Sequence, residues 1–203
     1  MREIPGWGSG FARCAAESEE PDQWRGLAGC WAPFLGHQGV RLPDISGFNA
    51  HGTLTLMDPT TDYIQSTKGY RVLDFDGTDD FVLLGNVLRI TGALSIRAVV
   101  NFDVINTFQT ILAKGGGASN KHFNLYSASS GVLVLDVSGD GINEVGLTLT
   151  NTAGVWQDVC AVYQPSTYMR LFLNGFQGAE LTTSIPASMI NSTQETRIGS
   201  RNT

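Results

Sequence analysis

Four aspartates stand within seven positions in the stretch VLDFDGTDDFVLLG, residues 72–85: Asp74, Asp76, Asp79 and Asp80. Carboxylates at that density act as general acid and base, hold a hard cation, or accept backbone hydrogen bonds in a turn. Leu73 and Phe75 alternate with Asp74 and Asp76, Asp76-Gly77 supplies a turn, and Phe81 and Leu83 resume the inward pattern. That pattern predicts a β-hairpin whose aspartates face solvent or close the turn. A second acidic stretch is DVSGDGINE, where Asp136, Ser138, Asp140 and Gly141 copy the first half of a calcium loop. Its twelfth position is Leu147 where a bidentate Glu is needed, and it lies between two apolar runs, so a hairpin turn is expected, with Glu144 as the residue that would complete a weak surface site.

No catalytic residue is expected. The chain has no G-x-S-x-G elbow and no H-E-x-x-H, and KGGGASNK is glycine-rich but lacks the ending of a phosphate loop. His37, His51 and His122 are scattered, which suits hydrogen-bonded or surface histidines better than a base or a ligand set.

The elements that must position such residues are strands. In ALSIRAVVNF, Leu94, Ile96, Ala98, Val100 and Phe102 share one face and Ser95, Arg97 and Asn101 the other, the period of a sheet buried on one side. Similar runs start at Gly52, Arg71, Phe81, Thr110, His122, Val132, Val145, Val155 and Met169, with no long helical pattern between them. Many short strands separated by polar turns, with 24 glycines, predict an all-β antiparallel sandwich or barrel. Residues 1–25 hold Trp7 and Trp24 and no sustained period, and read as an N-terminal arm in which AAESEEPDQW has at most a turn or two of helix.

Composition narrows the partners. With 203 residues, a net charge of -6 and no Lys/Arg cluster, neither nucleic acid nor an anionic membrane is expected as a partner. Cys14, Cys30 and Cys160 are far apart and odd in number, which suits small buried thiols and excludes a C-x-x-C zinc site. There is no membrane-spanning apolar run, and the N-terminus lacks the apolar centre of a secretory signal.

The order of LDFDGTDDFVLLG, LSIRAVVNF, GVWQDVCAVYQPSTYMRLFLNG and RIGSR resembles laminin G-like, concanavalin A-like jelly-roll domains, with matches at Phe75, Asp76, Gly77, Asp80, Phe81, Gly154, Trp156, Leu171, Asn174 and Gly175. The resemblance covers residues 26–203 and implies a two-sheet jelly roll, with Trp156 filling the gap between sheets, Asn174-Gly175 as a hairpin turn, and one further family strand beyond RIGSRNT. Leu94, Ile96, Val100, Trp156 and Leu171 are the expected core, and helix is expected mostly before residue 30. PDISGFNAHG, residues 43–52, is similar to the family's loop near a structural calcium, which implies Ca²⁺ at Asp44 and Asn49. The glucanase triad of the same fold is absent: Glu20 and Asp22 have its first spacing, but Pro21 separates them and Arg25 replaces the last acid. The resemblance therefore implies a module that binds glycans or a protein surface. Two alternatives follow from it: a structural or decoration component of a phage-like particle, attached by its arm in an extracellular or virion assembly, and the accessory domain of a polysaccharide-degrading enzyme. Tyr126, Tyr163, Tyr168, Trp7 and Trp24 are the candidate sugar platforms.

Overall fold

The computed structural model describes residues 25–67, 69–117 and 119–201. Trp7, Cys14, Glu20, Asp22 and Trp24, and with them all of the expected arm but Arg25, lie outside the described residues. The chain divides into two compact units, the first ending at Asp74 and the second beginning at Phe75.

In the first unit Pro33 opens a single 3-10 turn, Pro33–Leu35. Its preset φ and missing N–H suit the first helical position. This is the one helical element among the described residues, and it lies after residue 30, later than the sequence predicts. Two short antiparallel ladders follow: β1 (Arg41–Leu42) with β2 (Gly52–Thr55), and β3 (Tyr63–Gln65) with β4 (Arg71–Leu73). Leu42, Ala50, Leu54, Met57 and Tyr63 are buried. The Trp31 indole N–H donates to the Ala50 carbonyl at 2.7 Å, and the Tyr63 hydroxyl donates to the Pro33 carbonyl.

The second unit is all strand. It contains β5 (Phe81–Gly85), β6 (Leu94–Asn101), β7 (Gln109–Gly116), β8 (Ser119–Ala128), β9 (Val132–Val137), β10 (Val145–Thr150), β11 (Trp156–Gln164), β12 (Tyr168–Leu173), β13 (Phe176–Leu181) and β14 (Thr196–Ile198). One sheet runs β5-β14-β7-β8-β9-β10 and the other β13-β12-β11-β6, with antiparallel neighbours throughout. Period-two patterning sends Phe123, Leu125, Leu133, Leu135 and Val137 from the first sheet, and Val159, Ala161, Tyr163, Met169 and Leu171 from the second, into a core where none is more than 2% exposed. Burial of each large apolar side chain contributes roughly 1.5–3 kcal/mol. Asn174 and Gly175 both have positive φ, 52° and 83°, and close the β12–β13 hairpin as a two-residue turn. That backbone matches the twist of the flanking strands.

Three expectations are corrected. The stretch 72–85 is not a hairpin: β4 pairs with β3 in the first unit, whereas β5 pairs with β14 in the second. Asp76-Gly77 does turn the chain, but a turn signal does not choose the strand's partner. On β5 the buried residues are Val82 and Leu84, so Phe81 and Leu83 take the other face. Trp156 does not fill the gap between sheets. Gln157, Val159, Ala161 and Tyr163 are the buried set on β11, which places Trp156 in the opposite, half-buried set with Asp158 and Cys160. Of the other expected core residues, Leu94, Ile96 and Leu171 are buried and Val100 is half-buried.

Candidate functional site

Asp44 is 7% exposed and is surrounded by donors. Its Oδ1 accepts from the Cys30 and Ser46 backbone N–H groups, both at 2.9 Å, and its Oδ2 from the Ser46 hydroxyl at 2.7 Å and the Ala50 N–H at 3.0 Å. Burial raises its pKa, but those four bonds outweigh burial and hold it below the ordinary carboxylate value. All four lone-pair directions are used, and the donors present positive hydrogens where a cation would stand. Asn49 is exposed in a left-handed turn with φ 58°. The residues expected to hold calcium do not fit the ion; they tie a loop together.

The opening aspartates do similar work. Asp76 Oδ1 accepts the N–H groups of Thr78 at 2.8 Å and Asp79 at 3.3 Å, and buried Asp80 accepts the Asp76 N–H at 3.0 Å. Asp74 and Asp79 are exposed. One oxygen each of Asp76, Asp79 and Asp80 lies within 4.8 Å of the others, a compactness that the turn itself produces. Asp140 is likewise a turn residue, accepting the Ile142 and Asn143 N–H groups at 2.8 and 2.7 Å, while Glu144 pairs with Lys121 at 2.9 Å. DVSGDGINE is therefore the expected hairpin turn, and its acids are not gathered around one point.

Polar groups of another kind meet on the larger sheet. Opposite the core face, strand pairing aligns Asn124 of β8 with Asp136 of β9 and Ala113 of β7, and Asp136 with Gly146 of β10. The Tyr126 hydroxyl donates to Asp136 Oδ2 at 2.9 Å. A Cβ on Gly146 would lie 2.4 Å from Asp136 Oδ1, so the glycine leaves the carboxylate its space. Burial raises the Asp136 pKa, which the Tyr126 hydrogen bond only partly offsets. Burial and the Asp136 charge in turn push the Tyr126 phenol upward, so the proton stays on the phenol. Phe108 stacks on Tyr126 with ring centroids 4.4 Å apart, and the Arg201 guanidinium lies 4.3 Å from the Phe108 centroid.

A cavity of about 350 Å³ opens at the β7–β8 end of the same sheet. Gly115, Gly116 and Gly117 form one wall, and Lys121, Asn124, Glu144 and Arg201 also line it, as does His122. Gly115 has φ 84°, and a Cβ there would strike the Asn120 carbonyl at 2.2 Å. His122 is 1% exposed and its Nε2 lies 2.6 Å from the Ile90 carbonyl. A carbonyl only accepts, so Nε2 carries the proton and Nδ1 is left as an acceptor. Among the described residues, His122 Nδ1 and Asn124 Oδ1 are buried without a hydrogen-bond partner. Burial brings the His122 pKa down to about 4. Lys114 is fully buried, donates to Asn86 Oδ1 at 3.0 Å and the Gln194 carbonyl at 2.7 Å, and is brought down to about 8 by burial and then by the charge of Arg89.

Residues 76–203 match the family model of the concanavalin A-like lectin/glucanases superfamily. The chain belongs to that superfamily. Among solved structures, this superfamily member is similar to the botulinum neurotoxin serotype D binding domain (14% identity, TM-score 0.59, covering 87% of this chain and 44% of that one). It is also similar to the serotype C1 binding domain (15%, 0.57, 85% and 42%). A third likeness is to botulinum neurotoxin type C, described as dependent on two ganglioside molecules to enter cells (13%, 0.53, 87% and 43%). The chain spans less than half the length of each, and at these identities the likeness is one of fold. No curated protein matches it in sequence. Among the described residues no helix is long and apolar enough to cross a membrane.

Of the aromatic residues that the sequence offers as sugar platforms, Tyr126 lies in this site. Tyr163 is core, its hydroxyl donating to the Pro186 carbonyl at 2.7 Å, and Tyr168 lies under Arg170 at 3.8 Å on the smaller sheet. Phe108, Asn124 and Arg201 were not singled out by sequence reasoning. The available signal was the parity of β8, where Asn124 and Tyr126 alternate with buried Phe123 and Leu125.

Proposed function

We propose that the chain is a non-catalytic recognition module that binds glycans on the Tyr126–Asp136 face of its larger sheet. The observation that carries this reading is the meeting of an aromatic pair, Phe108 and Tyr126, with Asp136 and Asn124 beside a cavity of about 350 Å³. Sugars present apolar ring faces to aromatics and a ring of hydroxyls to side chains that both donate and accept. That volume falls within the range of about 300–1,000 Å³ usual for small-molecule sites. The likeness to a ganglioside-dependent toxin agrees with a glycan ligand. Hydrolysis needs two carboxylates free to work across one bond; here Asp136 accepts from the Tyr126 hydroxyl and Glu144 is paired with Lys121.

The test is binding to an immobilised glycan panel, followed by calorimetry on the best ligand. Binding that Tyr126→Ala and Asp136→Asn both weaken, without release of product, supports the reading. Turnover of any glycan, or binding indifferent to both substitutions in folded protein, removes it. Attachment to a particle through protein alone would appear as co-assembly with no glycan retained.

A further inference from the structure

The smaller sheet ends in an unguarded edge. Among the described residues β6 pairs with β11 and with no other strand, and the pairing runs without a break from Leu94 to Asn101. The other side of that sheet is closed: β13 pairs with β12 through a bulge, and a Cβ on Gly178 would meet the Leu149 side chain of β10 at 2.5 Å. Free edges are ordinarily blunted by proline, lysine, a bulge or a charge turned inward. The strand LSIRAVVN has none of these. Its one charge, Arg97, lies on the outer side and is held by Asp158 of β11 at 2.7 and 3.0 Å.

Burial fades along the same strand. Leu94, Ile96, Ala98 and Val100 share the core-facing side, yet Leu94 and Ile96 are 8% and 7% exposed whereas Ala98 and Val100 are half-buried. On the outer side Val99 is 63% exposed. A further strand on this edge would cover these residues and satisfy its free backbone groups.

The strand is its own complement. Two copies pair antiparallel, with core sides matched, in two registers of greatest overlap. One centres on Arg97 and sets that guanidinium against its own copy. The other centres on Ala98, setting Ile96 opposite Val100, Ser95 opposite Asn101 and Arg97 opposite Val99, so that apolar residues meet and no like charges face each other. The chain's own first 24 residues offer no such strand in sequence, since Pro5, Gly6, Gly8, Gly10 and Pro21 interrupt them and no apolar alternation runs between.

We propose that the free edge of β6 joins two copies of this chain into a two-fold dimer, with Ala98 opposite Ala98 of the second copy and the two smaller sheets continuous. Such an interface uses the same residues on both sides. The inference is independent of the glycan-binding reading; where that reading holds, the dimer presents the Tyr126–Asp136 face twice and gains affinity for a multivalent surface.

Sedimentation velocity of the full chain over about 1–100 μM reads the proposal as a monomer–dimer equilibrium, with dimer expected at the upper end. Two double variants test the register at Ser95 and Asn101, both exposed, so that loss of fold is not expected. Ser95→Lys with Asn101→Lys sets like charges across the interface at two symmetric points and should weaken dimerisation by about tenfold. Ser95→Glu with Asn101→Lys sets opposite charges at the same points and should keep or strengthen it. A monomer at every concentration overturns the proposal and leaves the edge to a strand of a different chain. A dimer that responds equally to both variants also overturns it, because association would then run through another surface or another register.

Discussion

The Tyr126 hydroxyl and Asp136 Oδ2 meet at 2.9 Å between neighbouring strands, two residues out of direct register, since Tyr126 lies opposite Val134 and Asp136 opposite Asn124. The bond gives a half-buried carboxylate its donor. Tyr126→Phe should therefore cost about 1–3 kcal/mol, which is measured by denaturant unfolding at neutral pH. An unchanged midpoint would mean that water replaces the phenol without loss.

Asp136 should report itself in the opposite direction. Its folded pKa is raised, chiefly by burial, so folding binds a proton there more readily than the open chain does. The stability it contributes is full below the ordinary aspartate value and is lost as pH rises through the raised folded value. Asp136→Asn should flatten that segment of the stability–pH curve and leave neutral stability equal or higher, while weakening glycan binding. A large neutral-pH loss would show that the ionised carboxylate supports the fold.

His122 works at the other limb. Its pKa is lowered from 6.5 to about 4, mainly by burial, so its contribution is complete above pH 6.5 and is lost as pH falls toward 4. Each pKa unit corresponds to 1.36 kcal/mol, so the loss is of the order of 3 kcal/mol across that window. His122→Gln should remove this part of the acid sensitivity, as followed by melting temperature between pH 7 and pH 4. A wild-type slope retained in the variant would assign the effect to other groups.

Asp44 should be structural and indifferent to calcium. Asp44→Ala strips acceptors from three backbone N–H groups and one hydroxyl, and should destabilise the first unit by about 3 kcal/mol or more. Melting curves with calcium and with chelator should superimpose. A calcium-dependent shift that Asp44→Ala abolishes would restore the ion to this loop.

The sequence is most legible where one rule suffices. Alternation within VLVLDV and VGLTLT places β9 and β10 at their observed bounds, and Asn174-Gly175 supplies its turn, because each is decided by residues a few positions apart. The partner of β4 is not local in that sense. Tyr63–Gln65 is three residues long, too short to show a period, and nothing in Arg71–Leu73 distinguishes it from a strand that would continue into β5. Trp156 was misplaced for a similar reason: its side is fixed by the burial of Gln157, a polar residue that a hydrophobic pattern would turn outward. The candidate site was the least legible of all. Asn124, Asp136, Gly146 and Arg201 become neighbours only through strand register and the course of the chain after β14, so that along the sequence each is an unremarkable polar or small residue.

The clearance between Gly146 and Asp136 makes these two positions a single inherited character. The carboxylate keeps its present placement only while its neighbour on the next strand has no side chain, because the first added carbon would fall 2.4 Å from Asp136 Oδ1 and turn that flexible group aside. One replacement of the glycine displaces the acid. Restoring it takes a return to glycine, and a further step once position 136 itself has drifted. The glycine and the present placement of the acid, with its bond to Tyr126, should therefore be kept or lost together.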